Sequence, residues 1–160
     1  MQHTFFYVSF RKSEFYDIIH VAFGRSDLME TIMVCVTKQK TCQRLIDYGK
    51  QLMVSPEDSM HIIHVAGSDY NFLGDSEENR ALEYLYEKAR DAGAELTVLK
   101  SDDVVGTLGQ IVEQNDITKV VAGAANEIDV ASGFMYRLRM RLSGKADLVV
   151  VPLETEEKQA

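Results

Sequence analysis

The residues best placed for chemistry lie between Val120 and Val151. This stretch reads as a strand, a turn of small residues (Ala122-Gly123-Ala124-Ala125-Asn126), a loop, a basic helix and a final strand. A glycine at the end of a parallel strand lets a phosphate approach the backbone amides closely. Arg137, Arg139, Arg141 and Lys145 then supply cations nearby. Arg137 and Arg141 are four apart and share one helix face, while Arg139 points elsewhere. Asn126 can donate to a phosphate oxygen, and an arginine fork matches one. The pattern predicts an anion site; the competing expectation is a solvated basic face on an acidic protein.

Other arrangements carry less. The segment Thr37-Lys38-Gln39-Lys40-Thr41 lacks glycine and is no P-loop, and no GxGxxG follows a strand. His61 and His64 have HxxH spacing, but residues three apart in a strand face opposite ways, so both read as packing or edge histidines. Asp102-Asp103 opens a helix and reads as its cap. Ser55 and Ser59 have no GxSxG context. Asp69 and Asp129 are the nearest carboxylates for a metal-dependent nucleotide hydrolase, and neither has a helpful neighbour. No catalytic residue is expected. Cys35, in an apolar run, and Cys42 read as structural thiols. Cys42 lies near a helix start, where the dipole could lower its pKa.

These residues need a scaffold, and the hydrophobic pattern supplies one. Thr31 to Val36 is a continuous β-branched and apolar run, as a strand buried on both faces should be. Leu45, Ile46, Gly49, Leu52 and Met53 recur at helical spacing up to Ser55-Pro56. Met60 to Ala66 is a second strand. Asp75 or Ser76 caps a helix with Ala81, Leu82, Leu85, Tyr86 and Ala89 on its buried face, ending at Gly93. Glu95 to Leu99 is a third strand. A helix from about Asp103 to Asn115 buries Val104, Val105, Leu108, Ile111 and Val112, and Lys119 to Ala122 is the fourth strand. A helix from about Gly133 to Leu142 leads into the fifth, Asp147 to Leu153. Short apolar strands alternating with helices predict an α/β, three-layer, doubly wound parallel sheet of five strands. Ligands then sit beyond the carboxyl ends of the strands, so the loops after Val36, Ala66, Leu99 and Ala122 are the ones to inspect.

The composition fits one such domain. The chain has 160 residues with 17 Lys plus Arg against 25 Asp plus Glu, a net charge of −8. That balance opposes wholesale nucleic-acid binding. No apolar run reaches the roughly 18–20 residues that cross a bilayer, and no secretory signal is evident, so a reduced, cytoplasmic protein is expected. Residues 1–28 stand outside the alternation and hold five of the seven phenylalanines. They read as an aromatic extension that docks on its own domain or on a partner; Met29 is an alternative start. Residues 29–153 form the domain and 154–160 an acidic tail.

The order of elements, the VCVT opening (34–37) and the AGAAN and RLRMRLSGKADLVVVP segments (122–126 and 137–152) resemble the universal stress protein family across residues 31–153. The segment IMVCVTKQKTCQRLIDYGKQL, with Arg44-Leu45-Ile46, is most similar to the universal-stress-protein-like domain of potassium-sensing histidine kinases. The resemblance implies strand order 3-2-1-4-5, a homodimer paired through the last strand (Asp147 to Leu153), and signalling or stress response by binding ligand or partner. The family's ATP binders carry G-x2-G-x9-G-[ST] after the fourth strand and an aspartate at the end of the first. Here Thr37 replaces the aspartate, Gly123 keeps the first glycine and Asn126 replaces the second. Strict spacing puts Tyr136-Arg137 at the third position, and Gly133-Phe134 fits only with a shortened loop. The expected ligand site is therefore Thr37, Val65, Gly123, Asn126 and Gly133 with Arg137 beside them. Val65 enters because the end of the second strand contacts adenine in the family's binders. ATP, another adenine nucleotide or a cyclic dinucleotide is the implied ligand class, and the broken motif counts against tight ATP binding. A dimerising module that partners a kinase or transporter is the alternative.

Overall fold

The computed structural model describes residues 29–36, 39–71, 74, 77–124 and 133–152. Among the described residues five strands and four helices alternate: β1 (Thr31–Cys35), α1 (Gln39–Leu52), β2 (Ser59–Ala66), α2 (Glu77–Asp91), β3 (Glu95–Lys100), α3 (Val104–Gln114), β4 (Lys119–Ala124), α4 (Phe134–Leu142) and β5 (Asp147–Pro152). The strands form one sheet in the order β3-β2-β1-β4-β5, and every pairing is parallel. The expected sheet is present, in the expected order.

Alternation along β1 builds two cores. Ile32, Val34 and Val36 face one side with Cys42, Leu45 and Ile46 of α1 and Leu85 and Ala89 of α2. Met33 and Cys35 face the other, with Leu108, Ile111 and Val112 of α3 and Met135, Leu138 and Leu142 of α4. Because β1 is central, both faces are covered, which is why its sequence is apolar without a break. Helix α1 lies close on its side: a Cβ on Gly49 would sit 2.7 Å from Val34 Cγ2 and 2.8 Å from Met60 Sδ.

Several local expectations are corrected. Tyr86 is exposed, because it lies one position beyond Leu85 and so about 100° round the helix from the buried Leu85–Ala89 line. Strand β4 runs on through Gly123 and Ala124, which pair with Val151 and Pro152. Gly123 therefore belongs to the strand, held by β5, and not to a turn. Asp103 does cap α3, accepting a 3.0 Å hydrogen bond from the Gly106 amide. The proposed cap at Asp75 or Ser76, the aromatic extension and Leu153 lie outside the described residues.

The amino edge of the sheet is tied by polar groups. Buried Glu30 pairs with Lys119 and accepts from Thr118 Oγ1. Asp58 accepts the Glu30 amide at 2.8 Å and the Val54 and Ser55 amides at 2.8 and 2.9 Å. No helix among the described residues is long and apolar enough to cross a membrane.

Candidate functional site

The carboxyl edge of the sheet is uneven, and that creates a site. Cys35 pairs with Ile63 on one side and Ala122 on the other, and the Val36 amide still reaches the Ile63 carbonyl at 2.9 Å. Strand β2 then continues to Ala66 and β4 to Ala124. At about 3.3 Å per residue, β1 ends roughly 7–10 Å below its neighbours. The resulting notch lies over the end of β1, between β2 and β4. Helices α1 and α2 cover one face and α3 and α4 the other, so this is the topological switch point where open α/β sheets place their ligands.

The notch has an apolar floor. A small cavity there is lined by Cys35, Val36, Ile63, Val65, Ala122 and Gly123, with Val104 and Leu108 of α3 and Phe134 of α4 closing one side. It measures about 30 Å3, room for water against roughly 300 Å3 or more for an ordinary ligand pocket. Phe134, packed on the core as the first residue of α4, narrows it. Gly133 precedes it with φ +67° and gives α4 no side-chain cap. That positive φ strains any residue with a Cβ, so glycine is what lets the chain turn into the helix here. On the far wall, His64 Nδ1 lies 2.8 Å from the Val36 carbonyl, joining β2 to the end of β1. Beyond β2, Asp102 accepts from the Ser68 hydroxyl at 2.7 Å and amide at 2.9 Å, which holds its carboxyl below the usual range.

Of the residues singled out in the sequence, Val65 and Gly123 line the cavity. Gly133 adjoins it as the residue before α4, and Arg137 is exposed in the first turn of that helix. Thr37, Asn126 and Asp129 lie outside the described residues. Asp69 is exposed after β2, and no group of three or more metal-ligating side chains occurs among the described residues. The histidines diverge as expected, with His61 Nδ1 3.7 Å from Glu95 Oε2.

The cluster of cations is divided. Arg141 Nη1 donates to Glu113 Oε1 at 2.9 Å, and Lys145 Nζ binds the same oxygen. The two cations hold the Glu113 carboxyl down to about 2. They face α3 at the amino edge because α4 starts at the carboxyl edge and returns, rising about 1.5 Å per residue. Sequence reading grouped them with Arg137 by proximity in the chain; the direction of the return helix was the signal that separates them.

One cation was missed. On α1, Arg44 Nη2 lies 3.6 Å from where a Cβ on Gly123 would stand. The Arg44-Leu45-Ile46 segment entered only as part of a family resemblance and not as a site, since it is the crossover geometry that brings α1 behind β4.

No family model matches the chain, and no curated protein matches its sequence. Solved structures do. A universal stress protein in complex with cAMP matches at TM-score 0.57 and 16% identity, over 78% of this chain and 97% of that one. The fold is that of the universal stress proteins. A universal stress protein from Archaeoglobus fulgidus in complex with dAMP matches at TM-score 0.53 and 15% identity, over 77% of this chain and 97% of that one. A universal stress protein family protein from Arabidopsis thaliana with AMP bound matches at 0.54 and 16%, over 80% and 94%. At these identities the likeness to universal stress proteins is one of fold.

Proposed function

We propose that this chain is a stress-response or signalling module that binds an adenine nucleotide in the notch over β1, between β2 and β4, and performs no reaction on it. The observation that carries the reading is the notch: β1 stops short, and Val65 and Gly123 stand on its two sides at the switch point. An apolar floor suits a purine face, and strand-end amides with a nearby cation suit phosphate. Structures of this fold with cAMP, dAMP and AMP support the ligand class. Asn126 stands where the triphosphate motif has Gly, and neither Arg137, at strict spacing, nor Phe134, with a shortened loop, is the Ser or Thr of that motif, which favours a nucleotide with one phosphate over ATP. Opening the site requires the Phe134 ring to move. The module is read as cytoplasmic and homodimeric, with β5 at the sheet edge pairing with a second copy. The alternative ligand is a cyclic dinucleotide, from the resemblance of residues 32–52 to the domain of potassium-sensing kinases, and the alternative role is a dimerising module that partners a kinase or transporter.

A native mass spectrum followed by calorimetric titration tests this. The expected result is a dimer of twice 18.1 kDa that binds AMP or cAMP, with Val65→Lys weakening binding at least tenfold and AMP recovered unchanged. A folded protein that binds no adenine nucleotide overturns the nucleotide reading and leaves an interaction module.

A further inference from the structure

Arg44 sits in the second turn of α1, beside Cys42, Leu45 and Ile46, all buried in the apolar core. Its Nη1 is buried with no hydrogen-bond partner among the described residues, and no described carboxylate forms an ion pair with it. The neighbouring Gln43 amide donates to Asp47 Oδ1 at 2.8 Å, and its own Oε1 is likewise buried without forming a hydrogen bond to Arg44. A guanidinium cannot shed its charge. A buried N–H of a charged group left unpaired is costly, so it marks a partner that the described residues do not supply.

The position says what that partner is. Nη2 lies directly behind Gly123, near the end of β4. A Cβ at Gly123 would meet Leu45 at 3.3 Å and stand in ordinary contact with the guanidinium, so the arginine head lies against the backbone of β4 near the carboxyl edge. Planar N–H forks match phosphate oxygens, two bonds at a time. Arg141 and Lys145 are already held by Glu113.

We propose that Arg44 is the phosphate-holding residue of this protein, reaching the end of β4 from the α1 side behind Gly123 to pair with a phosphate group in the notch. The phosphate belongs to the adenine nucleotide of the preceding section, and to that extent the proposal rests on that reading.

The test measures binding of adenosine, AMP and inorganic pyrophosphate to the full chain and to its Arg44→Met and Arg44→Lys variants. The original chain should bind AMP at least tenfold more tightly than adenosine. Arg44→Met should erase that ratio with adenosine affinity unchanged, and Arg44→Lys should recover part of it. An AMP-to-adenosine ratio that survives Arg44→Met overturns the assignment. Pyrophosphate separates this failure from that of the nucleotide reading. If neither adenosine nor AMP binds but pyrophosphate raises the melting temperature only when Arg44 is present, the anion site stands and the nucleotide reading falls. Pyrophosphate that fails to stabilise the original chain, or stabilises Arg44→Met equally, sinks the anion site. Without ligand, Arg44→Met should melt at the same temperature or higher, because an unpaired buried charge is gone. A marked fall would show a structural arginine and overturn the proposal.

Discussion

Burial governs the two thiols. Cys35, the last residue of β1, is pushed up to about 12 by desolvation. Cys42 is fully buried and raised as well: burial outweighs its hydrogen bonds with the Gln43 and Cys42 backbone and the charge of Lys88. The lowered pKa that a helix start could give is therefore not realised. Native protein at pH 8 should react with a thiol-specific disulfide reagent roughly 100-fold more slowly than protein in urea, the native rate tracking transient opening. A rapid stoichiometric reaction at Cys42 would contradict this placement. The same scale shows why Arg44 was illegible: residue type and local spacing describe an ordinary amphipathic helix, and only the packed crossover puts its head behind Gly123.

Elements differ in how plainly the chain spells them. Strand β1 is a run that only a doubly covered strand explains, and α3 carries its own start in Asp103. The end of β4 was harder to read, because small residues suit a turn equally well and it is hydrogen bonding to β5 that keeps Gly123 and Ala124 extended. The amino edge binds its elements through carboxylates, and this gives a pH dependence. Burial alone would raise Asp58, but the Glu30, Ser55 and Val54 amides and the Lys119 charge more than offset it, so the group lies below its ordinary 3.8. Glu113 falls from 4.5 to about 2. A depressed folded pKa gives stability that is present above the unfolded value and lost as pH falls through the folded one. The melting temperature should therefore be flat above about pH 5 with respect to these groups and decline from about pH 4.5 towards 2. Asp58→Asn should already cost about 1–2 kcal/mol at pH 7, through its backbone bonds, and should flatten part of the acid decline. Chemical unfolding as a function of pH measures both.

Across the whole molecule, the sheet separates two apolar compartments. The alternation of hydrophobic runs and helical spacings was enough to read this architecture, since each element can hide its apolar surface in only one kind of layer. Energetically, the sheet acts as a partition. Ile46→Val in one compartment and Ile111→Val in the other should each cost about 1 kcal/mol and should sum within about 0.5 kcal/mol in the double variant, as urea unfolding can show. The partition is thinnest at Gly123, which borders the Phe134 cavity on one face while Arg44 and Leu45 stand against it on the other. Independence should fail there. A residue with no side chain is a window in the wall, through which a perturbation at Phe134 can be felt by Arg44, so the energies of substitutions at those two positions should not add.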